Sequence, residues 1–121
     1  MARIVECIPN FSEGRDAQKV QQILDVISAV PGVKLLDHSM NADHNRSVVT
    51  FIGEPEKVLE AAFSACSKAA ELINMEQHHG EHPRIGATDV IPFVPISEVT
   101  MADCVEMAKK LGERIGTELQ I

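Results

Sequence analysis

The chain has 121 residues, with 18 Asp and Glu against 11 Lys and Arg, a formal charge of −7, 45% hydrophobic residues and only 3% aromatic ones. A single domain of this length buries roughly two-thirds of its unfolded-chain surface, so a soluble globular fold is expected without disulfide or metal staples. An acidic body carrying four Phe but no Tyr or Trp repels phosphate and offers little to stack on, which disfavours nucleic-acid binding, and no apolar run approaches the ~20 residues of a membrane span. Met1 to Asn10 carries Glu6 and lacks a basic flank before an apolar stretch, so it does not read as a signal peptide. Cys7, Cys66 and Cys104 are odd in number, far apart and set in apolar segments. That pattern suits reduced, buried thiols in a cytoplasmic protein.

The apolar run 3–9, closed by Pro9, predicts a first strand. A turn over 10–15 follows, with Asp16 placed to cap a helix whose face is Val20, Ile23, Leu24, Ile27 and Val30. Pro31 and Gly32 stop that helix. Strands are expected over 33–38 and 46–53, separated by the polar loop 39–45. Pro55 suits a first helical turn, and Val58, Leu59, Ala62, Phe63, Cys66, Ala69, Ala70 and Ile73 keep helical spacing to about residue 76. A polar, His-rich stretch over 77–86 precedes a fourth strand over 87–95, where Pro92 removes a ladder donor and so demands a sheet edge. Thr100 and Asp103 form a capping box for a last helix with the stripe Met101, Cys104, Val105, Ala108, Leu111, Ile115 and Leu119. The resulting β-α-β-β-α-β-α order predicts an α+β sandwich: a ferredoxin-like sheet of order 4-1-3-2, with helices on one face and an added C-terminal helix.

That topology brings the loops 10–15, 39–45 and 77–86 to one end of the sheet, which makes the convergence of polar residues there a candidate site. His78, His79 and His82 lie in a segment where Gly80 and Pro83 oppose a continuous helix. Two readings stay open. A zinc site would need two or three imidazoles with Glu81, Asp37 or Asp43, but no HExxH order is present, and no metal is expected. A general base needs one imidazole with a carboxylate to hold its tautomer, and Asp37, Asp43 and Glu81 are available. Arg15, Arg46 and Arg84 near one edge would create local positive potential for a substrate carboxylate. No nucleophile elbow and no glycine-rich phosphate cradle is present. The residues alone therefore point to a His/Arg/Asp site for a small anionic ligand.

Three stretches carry a resemblance. VECIPNFSEGR (5–15), LLDHSMNADHNRSVVTFIGEP (35–55) and HHGEHPRIGATDVIPFVP (78–95) together resemble the N-terminal subdomain of glutamate formimidoyltransferase, over essentially the whole of 1–121. The resemblance implies transfer of a formimidoyl group from N-formimidoyl-L-glutamate to N5 of tetrahydrofolate, a co-substrate, in histidine degradation. It places the catalytic histidine at His82. Members of the family often carry an acidic residue two positions after the one matching Asp37; Ser39 stands there in this chain, leaving Asp37 and Asp43 to orient His82. Asn10, Asn45, Arg46, His79, Arg84 and Gly86 are expected to bind substrate and folate. The family's transferase unit has a second, C-terminal subdomain, expected to be absent from 1–121, with folate between the two. The alternative is therefore an incomplete folate-binding or partner-docking subdomain that needs the second one for activity. A homodimer is also expected, from an exposed edge or an unmatched partner surface.

Overall fold

The computed structural model describes residues 3–11, 16–43, 46–72 and 88–119. The elements in chain order are β1 (Ile4–Cys7), β2 (Asn10–Phe11), α1 (Ala17–Ser28), β3 (Val33–Asn41), β4 (Arg46–Gly53), α2 (Pro55–Leu72), β5 (Thr88–Val90), β6 (Phe93–Ser97) and α3 (Met101–Arg114), which runs on into a π-helical turn, Ile115–Leu119. All strand pairings are antiparallel. β4 runs through the middle, with β3 on one side and β1 and β2 on the other; β6 and β5 lie outside β1 and β2 respectively. Taking β1 with β2, and β5 with β6, as single broken strands gives the expected order 4-1-3-2, with the Pro92-containing strand at an edge. The α+β sandwich is as expected.

The two breaks coincide, and proline explains both. Ile8 and Pro9 interrupt the first strand, and Ile91 and Pro92 the fourth. Ile8 N–H donates to the Pro92 carbonyl at 3.1 Å, while the Pro9 carbonyl accepts from Val49 N–H at 3.1 Å. Neither proline has an N–H to offer the ladder, so each strand is interrupted there and bonding continues through the proline carbonyls. One consequence is that Asn10, expected in a turn, is a strand residue. Another is that the fourth strand, expected over 87–95, ends at Ser97 instead. The loop expected over 39–45 is also shorter, because β3 continues to Asn41, opposite Arg46.

The helices cover one face of the sheet. Val5, Cys7, Phe11, Val49, Phe51 and Phe93 from the strands meet Val20, Ile23, Leu24 and Ile27 of α1, Val58, Ala61, Ala62, Ala65 and Ala69 of α2, and Cys104, Met107 and Leu111 of α3. The run of alanines on α2 keeps that helix close to the sheet. Asp16 caps α1 by accepting from the Gln18 and Lys19 amides. On α3 the buried stripe is narrower than its spacing implies: Met101 and Val105 are 64% and 51% exposed, and Ala108 is exposed. α3 lies over β6, the last strand of the sheet, so nothing among the described residues covers its outer side. The three thiols are buried and unpaired by disulfide. Burial, and next the nearby Cys66, pushes the Cys7 thiol well above its ordinary range. Among the described residues no helix is long and apolar enough to cross a membrane.

Candidate functional site

The register shows how the sheet assembles its polar end. Phe11 lies opposite both Ser47 and Thr88, and Met40 lies opposite Ser47. One row across the sheet thus joins the end of β2, the start of β4, the end of β3 and the start of β5. The segments 12–15, 44–45 and 73–87 are attached to described residues at or next to this row, and α2 contacts β5 from the helix side. Each of the polar segments singled out in the sequence therefore joins the fold at or next to this row by at least one end.

Alternation decides which side chains face the helices. On β4, Ser47, Val49, Phe51 and Gly53 are buried, while Arg46, Val48, Thr50 and Ile52 are half-buried on the opposite face, which no helix among the described residues covers. Cross-strand partners share a face. Asn10 and Ser39, both opposite Val48, therefore join that face, as do Asn41 opposite Arg46 and Asp37 opposite Thr50. Near the loop end the open face is polar: Asn10, Ser39, Asn41 and Arg46. Further along it is mixed: the half-buried Glu6 lies between Ile52 and Val94, and Lys34 lies on the other side of Ile52, while Val94 and Ile96 are exposed at 36% and 55%.

Each expected site residue can be placed against this frame. Asn10 is half-buried, and its amide Nδ2 donates to the Ile8 carbonyl at 3.2 Å, bracing the proline break from which β2 starts. Arg46 opens β4, half-buried beside Asn41. Asp43 is exposed in the hairpin turn at the same end. Asp37 stands apart, four residues before Asn41, which is ~13 Å along an extended strand. It is exposed, and its Oδ1 accepts from the His38 amide at 2.8 Å, where the β3–β4 register shifts. The geometry thus brings Asn10, Arg46 and Asp43 to one end and sets Asp37 further down β3. His79, His82, Arg84, Gly86 and Asn45 lie outside the described residues. Among the described residues no three His, Cys, Asp or Glu side chains are grouped to hold a metal.

One residue at this end escaped the reading of the sequence. Ser47 is fully buried, the only buried polar side chain among the described residues, and its Oγ has no hydrogen-bond partner among them. Leaving a buried hydroxyl unsatisfied costs about 1–3 kcal/mol. The signal that could have found it is a serine at an inward position of a strand otherwise filled there by Val49, Phe51 and Gly53.

Comparison with known proteins adds the lineage. Residues 4–121 match the family described as "Formiminotransferase domain, N-terminal subdomain". The chain is 53% identical over 121 residues to a protein of Streptococcus pyogenes serotype M1 named glutamate formimidoyltransferase, covering all of this chain and 40% of that one. A protein of the same name from Thermoplasma acidophilum is 53% identical over 118 residues, covering 98% of this chain and 39% of its own. The formimidoyltransferase-cyclodeaminase of Rattus norvegicus is 48% identical over 121 residues, all of this chain and 22% of the rat protein. The chain thus spans about 40%, or less, of the length of these relatives. With a match over nearly its entire length, and with the sheet order and helix placement that its sequence predicts, the chain belongs to the family of formiminotransferase N-terminal subdomains.

Proposed function

We propose that this chain forms the N-terminal part of an enzyme that transfers a formimidoyl group from N-formimidoyl-L-glutamate to N5 of tetrahydrofolate, a step of histidine breakdown. The observation that carries the reading is its 53% identity, across its full length, to proteins named glutamate formimidoyltransferase. In this reading His82 is the general base. It takes the proton from N5 as that nitrogen attacks the formimidoyl carbon, and gives it to the glutamate nitrogen as the carbon–nitrogen bond to glutamate breaks. A neutral imidazole with an ordinary pKa near 6.5 suits both directions. In this reading Arg46 and the amide of Asn10 donate to a substrate carboxylate at the polar end of the open face, and Asp43, exposed at that end, orients the imidazole. His79, Arg84, Gly86 and Asn45 complete the proposed contacts. The three buried thiols, none of them in a disulfide, support a reducing compartment, the cytoplasm.

A second reading concerns completeness. The relatives are about two and a half times longer than this chain, and the open face carries exposed Val94 and Ile96. We infer that a C-terminal formiminotransferase subdomain packs on this face and supplies the rest of the folate site, whose anionic co-substrate needs more positive surface than a body of charge −7 offers. A homodimer remains part of the proposal. The test is turnover of formimidoyl-glutamate with tetrahydrofolate by the full-length protein. His82→Ala, if folded, is expected to lower kcat/KM by roughly 10²–10⁴-fold; unchanged turnover removes His82 from the mechanism. Residues 1–121 alone are expected to give no turnover.

A further inference from the structure

The two edges of the sheet are built differently. One is broken into β5 and β6, carries Pro92 and Pro95, and has α3 packed over β6. The other is β3, Val33–Asn41, nine residues without a proline, and no described strand pairs with its outer side. An edge that long is a template for pairing with another chain. Alternation shows which of its backbone groups face outward. Val49 N–H donates to the Pro9 carbonyl at 3.1 Å, so Val49 turns its backbone groups away from β3. His38, directly opposite Val49 in the antiparallel ladder, turns its own away from β4 and presents N–H and carbonyl to the free edge. Met40, two residues on, faces the same way.

The outward N–H of His38 is already taken. It donates to Oδ1 of Asp37, an exposed carboxylate on the preceding residue, at 2.8 Å. The bond sits at the register shift between Leu35 and Asp37, where Leu36 has no partner on β4 and is 46% exposed. A strand arriving at this edge would have to break the Asp37 bond before its carbonyl could reach His38, and would bring that carbonyl against a negative charge. A shift of register and a charge on an edge strand both work against such pairing. Without the carboxylate the edge would offer outward backbone groups flanked by the exposed Leu36 and Met40.

We propose that Asp37 guards the β3 edge against pairing with a second copy of this chain. A second copy is the strand that fits, because the edge complements itself. An antiparallel two-fold centred on Ser39 sets His38 of each copy opposite Met40 of the other, and both residues turn their backbone groups outward. The inference does not rest on the transferase reading, and it gives Asp37 a use apart from the polar end of the open face. The homodimer proposed above then uses another surface.

The experiment compares full-length wild type, Asp37→Ala, Asp37→Asn and the double variant Asp37→Ala with Met40→Pro. Sedimentation velocity is measured over a range of concentrations, and hydrogen exchange is followed over Val33–Asn41. Asp37→Ala is expected to self-associate roughly tenfold more tightly than wild type, the scale of one charge-assisted hydrogen bond, with exchange over β3 slowing as association proceeds. Asp37→Asn, which keeps an acceptor but not the charge, is expected to fall between the two. Met40→Pro removes an outward N–H and no bond to β4, so the double variant is expected to return to wild-type association. An Asp37→Ala protein that associates as wild type does overturns the proposal, because the carboxylate then blocks nothing. Association that survives Met40→Pro, or that leaves exchange over β3 unchanged, also overturns it, because another surface is then responsible. So does a wild type whose β3 amides are already protected by dimerisation, since the edge is then in use rather than guarded. Should Asp37→Ala fail to fold, Asp37→Asn against wild type decides by the same readings.

Discussion

Gly53 ends β4 where there is no space for a side chain. A Cβ at that position would lie 2.7 Å from the Gly32 carbonyl oxygen and 3.3 Å from Val58 Cγ2. The first of these is backbone and cannot rotate away. Gly32 itself has φ of +87°, a left-handed conformation that lets the chain turn from α1 into β3. The two glycines thus let the turn after α1 lie against the end of the central strand. Gly53→Ala is expected to destabilise the fold by about 1–3 kcal/mol, the usual cost of overpacking, seen as a lower urea midpoint with an unchanged slope. A midpoint equal to wild type would mean that the Gly32 turn moves freely. At this scale the sequence was least informative about the site. That Asn10, Arg46 and Asp43 share one end of the sheet was legible, because loop composition and topology both placed them there. Ser47 was not, because whether a residue of RSVVTFIG faces inward depends on register, and register depends on the hairpin ending at Asn41 rather than near His38.

Elements fixed by contacts a few residues apart were read correctly, and α3 illustrates why. Thr100 Oγ1 accepts from the Asp103 amide at 3.1 Å, and Asp103 Oδ2 accepts from the Thr100 amide at 3.0 Å. Both bonds span three residues, so the sequence contains them whole. Thr100→Ala is expected to cost about 1 kcal/mol of stability. Asp103 has a further signature. Its hydrogen bond from the Thr100 backbone, and beyond that the hydroxyl of Thr100 and the Arg3 guanidinium, hold its carboxyl below the usual range. A lowered folded-state pKa means stability that is fully present above the ordinary carboxylate pKa and lost as pH falls through the lowered one. Asp103→Asn is therefore expected to lower the melting temperature at neutral pH and to flatten its decline on the acid side. A variant curve parallel to wild type down to the acid limb would show that the carboxylate does not contribute. The proline breaks, by contrast, were read only in part. Pro92 marked an edge correctly, but that Ile8 bonds to the Pro92 carbonyl, so that the two breaks adjoin, is a long-range fact of the pairing, and no local pattern carries it. The exposed Met101 and Val105 have the same origin, since helical spacing cannot tell that the neighbouring strand is the last in the sheet.

Across the whole molecule the two faces of the sheet are unequal. One is closed by three helices around a core that includes fully buried Phe11, Phe51, Ile23 and Ile27. The other has no helix among the described residues, is polar near Asn10 and Arg46, and further along mixes Ile52 and the exposed Val94 with Glu6 and Lys34. An open sheet face is stable in water when its side chains are polar; exposed aliphatic residues on it gain by being covered. The proposed C-terminal subdomain would cover them and leave the polar end as the rim of a shared cleft. This can be separated from folding. Val94→Lys with Ile96→Lys changes residues that are 36% and 55% exposed among the described residues, so the melting temperature of residues 1–121 is expected to shift less than that of the full-length protein. In the full-length protein the same pair would place two ammonium groups into an apolar contact. Turnover is then expected to fall at least tenfold, and limited proteolysis to release a fragment of about the size of residues 1–121. A full-length variant with wild-type turnover and wild-type resistance to protease would mean that the second subdomain sits elsewhere, and that Val94 and Ile96 answer to another neighbour.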